Sequence, residues 1–175
     1  MERRTEQVAC ERKAFRADQF YHPGNFRSHR PCTGPEILAQ SNRGYDTLCD
    51  FAGTGRTFAG CAAAFKDSDS RTRSYIVEPA NWAVLVGEPV RDPNRAIRGG
   101  GFSIPELTFL RPEYIDGYDQ VTDAEAIVVA RRLAAEEEIF AGFSSGDNLA
   151  AAIQLLRRPC RCKVVATIIN DSGLK

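Results

Sequence analysis

The stretch Gly53-Thr54-Gly55-Arg56-Thr57 gathers two glycines, two hydroxyls and a cation within five residues. Set between a strand and a helix, such residues offer successive backbone N–H groups at the positive end of a helix. Thr54 and Thr57 add hydroxyl donors, and the ensemble suits a phosphate. The pattern is neither Walker A, since no Lys follows in a GK[ST] arrangement, nor GxGxxG. A glycine-rich strand-to-helix turn without any ligand accounts for the same residues. The second candidate is FSSGDN, residues 143–148, where Ser144 and Ser145 stand at a helix entrance. They are either ligand donors or an ordinary N-cap.

An alternation of strand and helix must position these stretches. Residues 45–53, YDTLCDFAG, read as a buried strand that delivers the first candidate. The small apolar run 58–65 reads as a helix packed closely on a sheet, and 74–79, SYIVEP, as a strand ended by proline. Upstream, 14–20 is a short strand candidate and HPGN at 22–25 a turn. Thr33 and Glu36 have the spacing of a capping box that opens a helix over 33–40, with Pro35 near its start. Residues 81–120 are rich in Gly and Pro and read as mostly loop with short helical pieces, a length that points to function. Thr122 and Glu125 form a second capping box, opening a helix with Ala126, Val129, Ala130 and Leu133 along one face. IFAGF at 139–143 reads as a strand, 145–156 as a helix, and 163–170, KVVATIIN, as a fully covered parallel strand. The sum is an α/β domain of three layers, a mostly parallel sheet with helices on both faces, whose ligands sit at the carboxyl ends of strands.

Composition bounds the function further. The 175 residues suffice for one domain with its own core, and Lys plus Arg equals Asp plus Glu at 23 each. Zero formal charge gives no broad basic face for nucleic acid or anionic lipid. The charged first twenty residues lack the apolar run of a secretory signal, and no later stretch has the length of a membrane span, so a cytoplasmic location is expected. Cys10, Cys32, Cys49, Cys61, Cys160 and Cys162 follow no framework spacing and read as free thiols in a reducing compartment. Cys160 and Cys162 lack a second pair, so no metal site is expected.

A series of blocks then runs colinearly through the chain: DQF, HPGN with His29, TGPEI, GTGRTFAG, VEP, IRGGG, VTDAEAI, RRLAAEE, IFAGFSSG and NDSG. On these blocks the chain resembles the second half of the cysteine synthase and cystathionine β-synthase family. These are fold-type-II pyridoxal-phosphate enzymes of tryptophan-synthase-β-like architecture, and the cysteine synthase branch is nearest. The resemblance implies pyridoxal 5'-phosphate as cofactor and β-replacement on an activated serine, with a small amino-acid substrate. It places Gly53, Thr54, Gly55, Arg56 and Thr57 on the loop that holds the cofactor phosphate, and Ser144 opposite the pyridine nitrogen. Gln19 falls on a substrate-carboxylate position, and Gly99, Gly100 and Gly101 on the glycine loop lining the cleft.

The resemblance also implies departures. The family's Schiff-base lysine and its Ser/Thr-Gly-Asn-Thr loop belong to an N-terminal half that residues 1–175 do not match. Lys13, Lys66, Lys163 and Lys175 read as surface residues. The expectation is a single partial domain, inactive alone, whose partner is a second copy in a homodimer or a separate N-terminal half that supplies the lysine. Arg56 stands in place of a glycine; positive φ there would cost about 1 to 3 kcal/mol, whereas a charge-assisted bond to phosphate would return roughly 1.5 to 3 kcal/mol. Glu138 replaces a helix-stopping glycine at a cost on the order of 1 kcal/mol, and Asp147 replaces a small residue. These changes leave open a non-catalytic remnant that binds the cofactor or a partner non-covalently. A sheet lacking further strands is expected to expose an edge and an apolar face.

Overall fold

The computed structural model describes residues 2–18, 20–42, 44–69, 71–92, 96–97, 100, 104–159 and 164–174. Its elements run α1 (Glu2–Glu11), α2 (Gly24–Ser28), a π-helical turn (His29–Thr33), α3 (Gly34–Gln40), β1 (Thr47–Phe51) and α4 (Arg56–Ser68). Then follow β2 (Arg73–Pro79), a 3-10 turn (Pro112–Tyr114), β3 (Gly117–Val121), α5 (Asp123–Glu136), α6 (Phe143–Arg157) and β4 (Val165–Thr167). The four strands form one parallel sheet in the order β3-β2-β1-β4. Each link in a parallel ladder needs a crossover, and helices provide it, so the sheet is covered on both faces.

The alternation of side chains along β1 and β2 divides the core in two. Leu48 and Ile76 point into one layer with Phe58, Cys61 and Phe65 of α4. Cys49, Val77 and Val121 point into the other with Ala126 of α5 and Ala151 and Leu155 of α6. Every residue of β1 is buried, and each large apolar side chain held there contributes about 1.5 to 3 kcal/mol. The three-layer expectation holds, as do the strands over 45–53 and 74–79 and the helix over 58–65. The Thr122 capping box is complete: Thr122 Oγ1 accepts from Glu125 N–H, and the Glu125 carboxylate accepts from the Thr122 N–H at 2.9 Å.

Several expectations are corrected. Residues 14–18 form no strand; the regular element near the amino terminus is α1, polar on nearly every side. Thr33 caps nothing, because its backbone is already helical (φ −60, ψ −46), and α2, the π turn and α3 run on continuously. A cap needs extended backbone; the Thr33 hydroxyl instead meets His29 Nδ1 at 3.0 Å. IFAGF is not a strand: Ile139 and Phe140 are exposed, and Ala141 makes a single antiparallel bridge to Ser172. The missing strand is β3, within a region expected to be loop. Its buried Asp119, paired with Arg158, breaks the apolar alternation that marks a strand. The last strand is three half-buried residues at the sheet edge rather than a fully covered element. Together with exposed Phe143 and Leu174, Ile139 and Phe140 place apolar surface at this end of the chain.

Glu138, at the position where the resemblance implies a helix-stopping glycine, adopts the backbone such a stop requires. Glu138 sits at φ +59, and Ile139 N–H turns back to the Leu133 carbonyl at 3.3 Å. A non-glycine residue in this left-handed stop costs on the order of 1 kcal/mol. Glu138→Gly should therefore raise unfolding stability by roughly 1 kcal/mol in urea denaturation; an unchanged or lowered midpoint would show that the turn is not strained.

Candidate functional site

At the carboxyl end of β1 the chain passes through Ala52, Gly53 and Thr54 to Gly55, the N-cap of α4, at φ +74 and ψ 0. Positive φ falls on Gly55, where it is free of steric cost. Arg56 is the first helical residue, so the anticipated backbone strain at Arg56 does not arise. Its side chain turns inward and is only 1% exposed, and Nε, Nη1 and Nη2 all lack a hydrogen-bond partner. The guanidinium carbon lies 4.8 Å from the centre of the Phe109 ring. Phe109 in turn stacks on Phe26, with ring centres 5.5 Å apart and planes 11° from parallel. The negative face of the Phe109 ring attracts the cation without using any of its N–H donors. Burial lowers the Arg56 pKa, but arginine remains charged. A buried cation with three unused donors is what a phosphate would satisfy, so the chemistry of this turn fits the phosphate of a pyridoxal-type cofactor.

Neighbouring groups close around the turn. Thr57 Oγ1 lies 3.3 Å from His29 Nε2, and His29 Nδ1 lies 3.0 Å from Thr33 Oγ1. Burial lowers the His29 pKa, so the neutral ring bridges the two threonines, donating to one and accepting from the other. Thr54 is half-buried. Leu107 and Leu110 come within 3.0 Å of where a Cβ on Gly55 would stand. A cavity of about 10 Å³ remains beside Gly53, Glu78 and Leu107, room for roughly one water. Leu107 and Leu110 thus pack closely over the Gly55 turn. Gly100 lies against the end of β1, where a Cβ would meet Phe51 Cε1 at 2.4 Å and the Ala52 carbonyl at 2.7 Å. Gln19, Gly99 and Gly101 lie outside the described residues.

The second candidate stretch opens α6. Gly142 is the N-cap (φ −72, ψ 168), so Ser144 and Ser145 lie inside the first turn and neither caps the helix. Both hydroxyls donate to Asp171 Oδ1, at 3.1 and 3.3 Å. One turn later, Asn148 Nδ2 donates to Asp50 Oδ1 at 3.1 Å and to the Ile168 carbonyl at 2.7 Å, while Cys49 Sγ meets the Asn148 carbonyl at 3.6 Å. Asn148 thus ties the entrance of α6 to the carboxyl end of β1, and both candidate stretches share one end of the sheet. Asp147 is fully buried beside it. Asp50, Asp171, His29 and Phe109 received no site role in the sequence reading. Asp50 had a signal, a carboxylate inside the buried run Leu48-Cys49-Asp50-Phe51; the others are distant in sequence and converge only through the fold.

Neither of the described lysines, Lys13 and Lys66, makes a side-chain hydrogen bond or ion pair with these residues. Lys66, in the last turn of α4, pairs with Asp116 at 2.7 Å, and Lys13 is exposed at φ +49. The described residues contain no group of three or more His, Cys, Asp or Glu arranged for a metal. Nor do they contain a helix long and apolar enough to cross a membrane.

An open parallel sheet with a phosphate-type turn and a serine-bearing helix entrance at its carboxyl ends defines an α/β protein of the cofactor-binding kind. The chain belongs to the pyridoxal-phosphate dependent enzyme family, whose model matches residues 1–171. It is 35% identical over 155 residues to cysteine synthase 3 of Caenorhabditis elegans, covering 88% of this chain and 45% of that protein. It is 38% identical over 147 residues to the cysteine synthase of Haemophilus influenzae, covering 81% and 46%. Among solved structures, an O-ureido-L-serine synthase superposes with a TM-score of 0.85 at 31% identity, over 96% of this chain and 52% of that one. O-acetyl serine sulfhydrylase isoform 3 from Entamoeba histolytica superposes with a TM-score of 0.89 at 26% identity, over 97% and 50%. The chain spans about half the length of the relatives it matches. Pyridoxal phosphate is the cofactor of this family, and the fold-type-II architecture is shared.

Asp50 gives the site a pH dependence. Burial pushes its carboxyl up from 3.8 to about 7, against the weaker opposing pull of the Asn148 hydrogen bond. The folded state then holds a proton that the unfolded chain releases above pH 4, so stability falls as pH rises from about 4 to about 7 and is level beyond. Glu78 and Asp119, also raised by burial, act in the same direction. Asp50→Asn should gain stability at pH 8, on the order of a few kcal/mol, and little at pH 4, in urea titrations at both values. An equal effect at the two would refute a buried, proton-binding Asp50.

Proposed function

We propose that this chain forms the part of a cysteine synthase-like enzyme that holds the phosphate and ring of pyridoxal phosphate, for β-replacement on an activated serine to make cysteine. The observation carrying this reading is Arg56, a buried guanidinium with unused N–H edges in the first turn of α4, directly after a glycine turn. In this reading Gly53, Thr54, Gly55, Arg56 and Thr57 bind the phosphate, with N–H groups and the α4 dipole as donors. His29 fixes the rotamer of Thr57. Ser144 faces the ring nitrogen, Gln19 binds the substrate carboxylate, and Gly99, Gly100 and Gly101 line the cleft where the substrate approaches. The bound cofactor supplies an electron sink that acidifies the substrate α-carbon and releases its β-substituent. Leu107 and Leu110, packed beside Gly55, would shield the turn from water.

The reading assigns no base to the described residues. The lysine that anchors the cofactor in the family would come from outside these residues, from a separate N-terminal half, in a cytoplasmic setting. The chain alone is then inactive. A second reading, a non-catalytic binder of the same cofactor, is favoured by one observation: the Ser144 hydroxyl is already committed to Asp171. Absorbance titration of the chain with pyridoxal phosphate separates the possibilities. Saturable binding, at least tenfold weaker in Arg56→Ala, is expected, with no borohydride-trapped adduct at any one lysine. Binding unaffected by the substitution would remove Arg56 from the site, and a single trapped lysine with turnover of O-acetylserine would overturn the proposal that the amine comes from elsewhere.

A further inference from the structure

A groove of about 860 Å³ lies between α2, the π-helical turn, the start of α3, α4 and residues 108–111, and Arg56 is not among its lining residues. Its volume falls in the range of small-molecule sites, roughly 300 to 1,000 Å³. The stacked rings of Phe26 and Phe109 give it an apolar wall, to which Ala64 of α4 adds. Pro23, Pro31 and Pro35 line it as well, and ring closure fixes φ at each, so this side is stiff before any ligand arrives. The charges are unbalanced: Arg27, Arg30 and Arg111 face one carboxylate, Asp67, in a chain whose two signs are equal at 23 each. Arg30 Nη2 donates to Asp67 Oδ2 at 2.8 Å, with side chains 48% and 61% exposed, so water screens the pair and another anion can replace it. Arg111 lies 3.7 Å from Glu113, beyond hydrogen-bond reach. Arg27, in the last turn of α2, pairs with no carboxylate among the described residues.

We propose that this groove binds a small organic anion, whose apolar body lies on the Phe26 and Phe109 wall and whose acidic group is held by Arg27, Arg30 and Arg111. Gathering like charges from segments distant in sequence costs repulsion, which an anion placed among them removes. A guanidinium meets an acidic group through two parallel N–H donors, so direction as well as charge is recognised. Both parts of the ligand are needed. Exposed arginines hold a bare inorganic anion weakly in water and salt, and the apolar wall by itself gives no preference for charge. The site is separate from the phosphate reading of the glycine turn and stands or falls without it.

The test is an amide NMR titration of the whole chain with naphthalenesulfonate, using naphthol as the uncharged counterpart and methanesulfonate as the acidic group alone. Naphthalenesulfonate should bind saturably, with its largest shifts at Arg27, Asp67 and Thr108, and more weakly as salt is added. Naphthol and methanesulfonate should each bind at least about tenfold more weakly. Arg27→Glu should weaken naphthalenesulfonate about tenfold, while Asp67→Asn, which releases Arg30, should tighten it about two- to fivefold. Absence of saturable binding, equal binding of naphthol, or an affinity unchanged in both variants would overturn the proposal. Largest shifts at residues 53–57 would place the anion at the glycine turn instead, and would overturn it as well.

Discussion

A strand buried on both faces and paired along both edges can release its chain only at its ends, and β1 is such a strand. Its neighbours β2 and β4 occupy its edges, and α4 and α6 cover its faces, so whatever follows Phe51 must turn at once. The turn demands a left-handed residue, which Gly55 supplies, and it ends in a helix whose first N–H groups have no partner within that helix. The candidate phosphate turn is therefore a consequence of how the sheet is covered. The same covering places Asp50, one residue before the end of the strand, where water cannot reach it and where it must share its charge with Asn148 or take up a proton.

Arg56 is best judged by magnitudes. Removing a guanidinium from water costs several kcal/mol, and a cation over an aromatic face returns about 2 kcal/mol when desolvated. The Phe109 stack alone leaves the residue at a net cost, whereas each charge-assisted bond to an anion adds about 1.5 to 3 kcal/mol. Two such bonds reverse the balance. Phe109 also stacks on Phe26 of α2, so Arg56, the Phe109 segment and α2 form one continuous contact.

Much of this arrangement was legible in the chain. β1, β2, α4 and the capped α5 declare themselves through apolar runs, a proline stop and a capping box, all local signals that tertiary packing reinforced. The failures share a physical cause. Thr33 has the spacing of a cap, but the helix before it does not end, and a continuous π turn uses the hydroxyl for His29. β3 was hidden because its core-facing Asp119 gains a partner, Arg158, that lies 39 residues away. IFAGF has the composition of a strand without an edge to pair with. In the site, the glycine turn and Ser144 could be found from sequence because their chemistry is compact, while Asp171, His29 and Phe109 come from segments that only the fold assembles.

Asn148 explains why two stretches nearly ninety residues apart can serve one ligand. Its amide holds the Asp50 carboxyl and the end of β4, its carbonyl receives the Cys49 thiol, and it lies one helical turn beyond Ser144. The distance between the glycine turn and the serine is thus set by buried hydrogen bonds rather than by surface loops. On the proposed reading, a rigid ligand with a phosphate at one end and a ring nitrogen at the other would meet a span already fixed, which would save the ordering cost that a flexible pair of loops imposes. The arrangement also makes the charge of Asp50 part of that span. Asn148 Nδ2 donates to Asp50 Oδ1, which can accept both as a carboxylate oxygen and as the carbonyl oxygen of the protonated acid. Either state preserves the link, so the spacing of the site survives a titration that the stability of the fold does not.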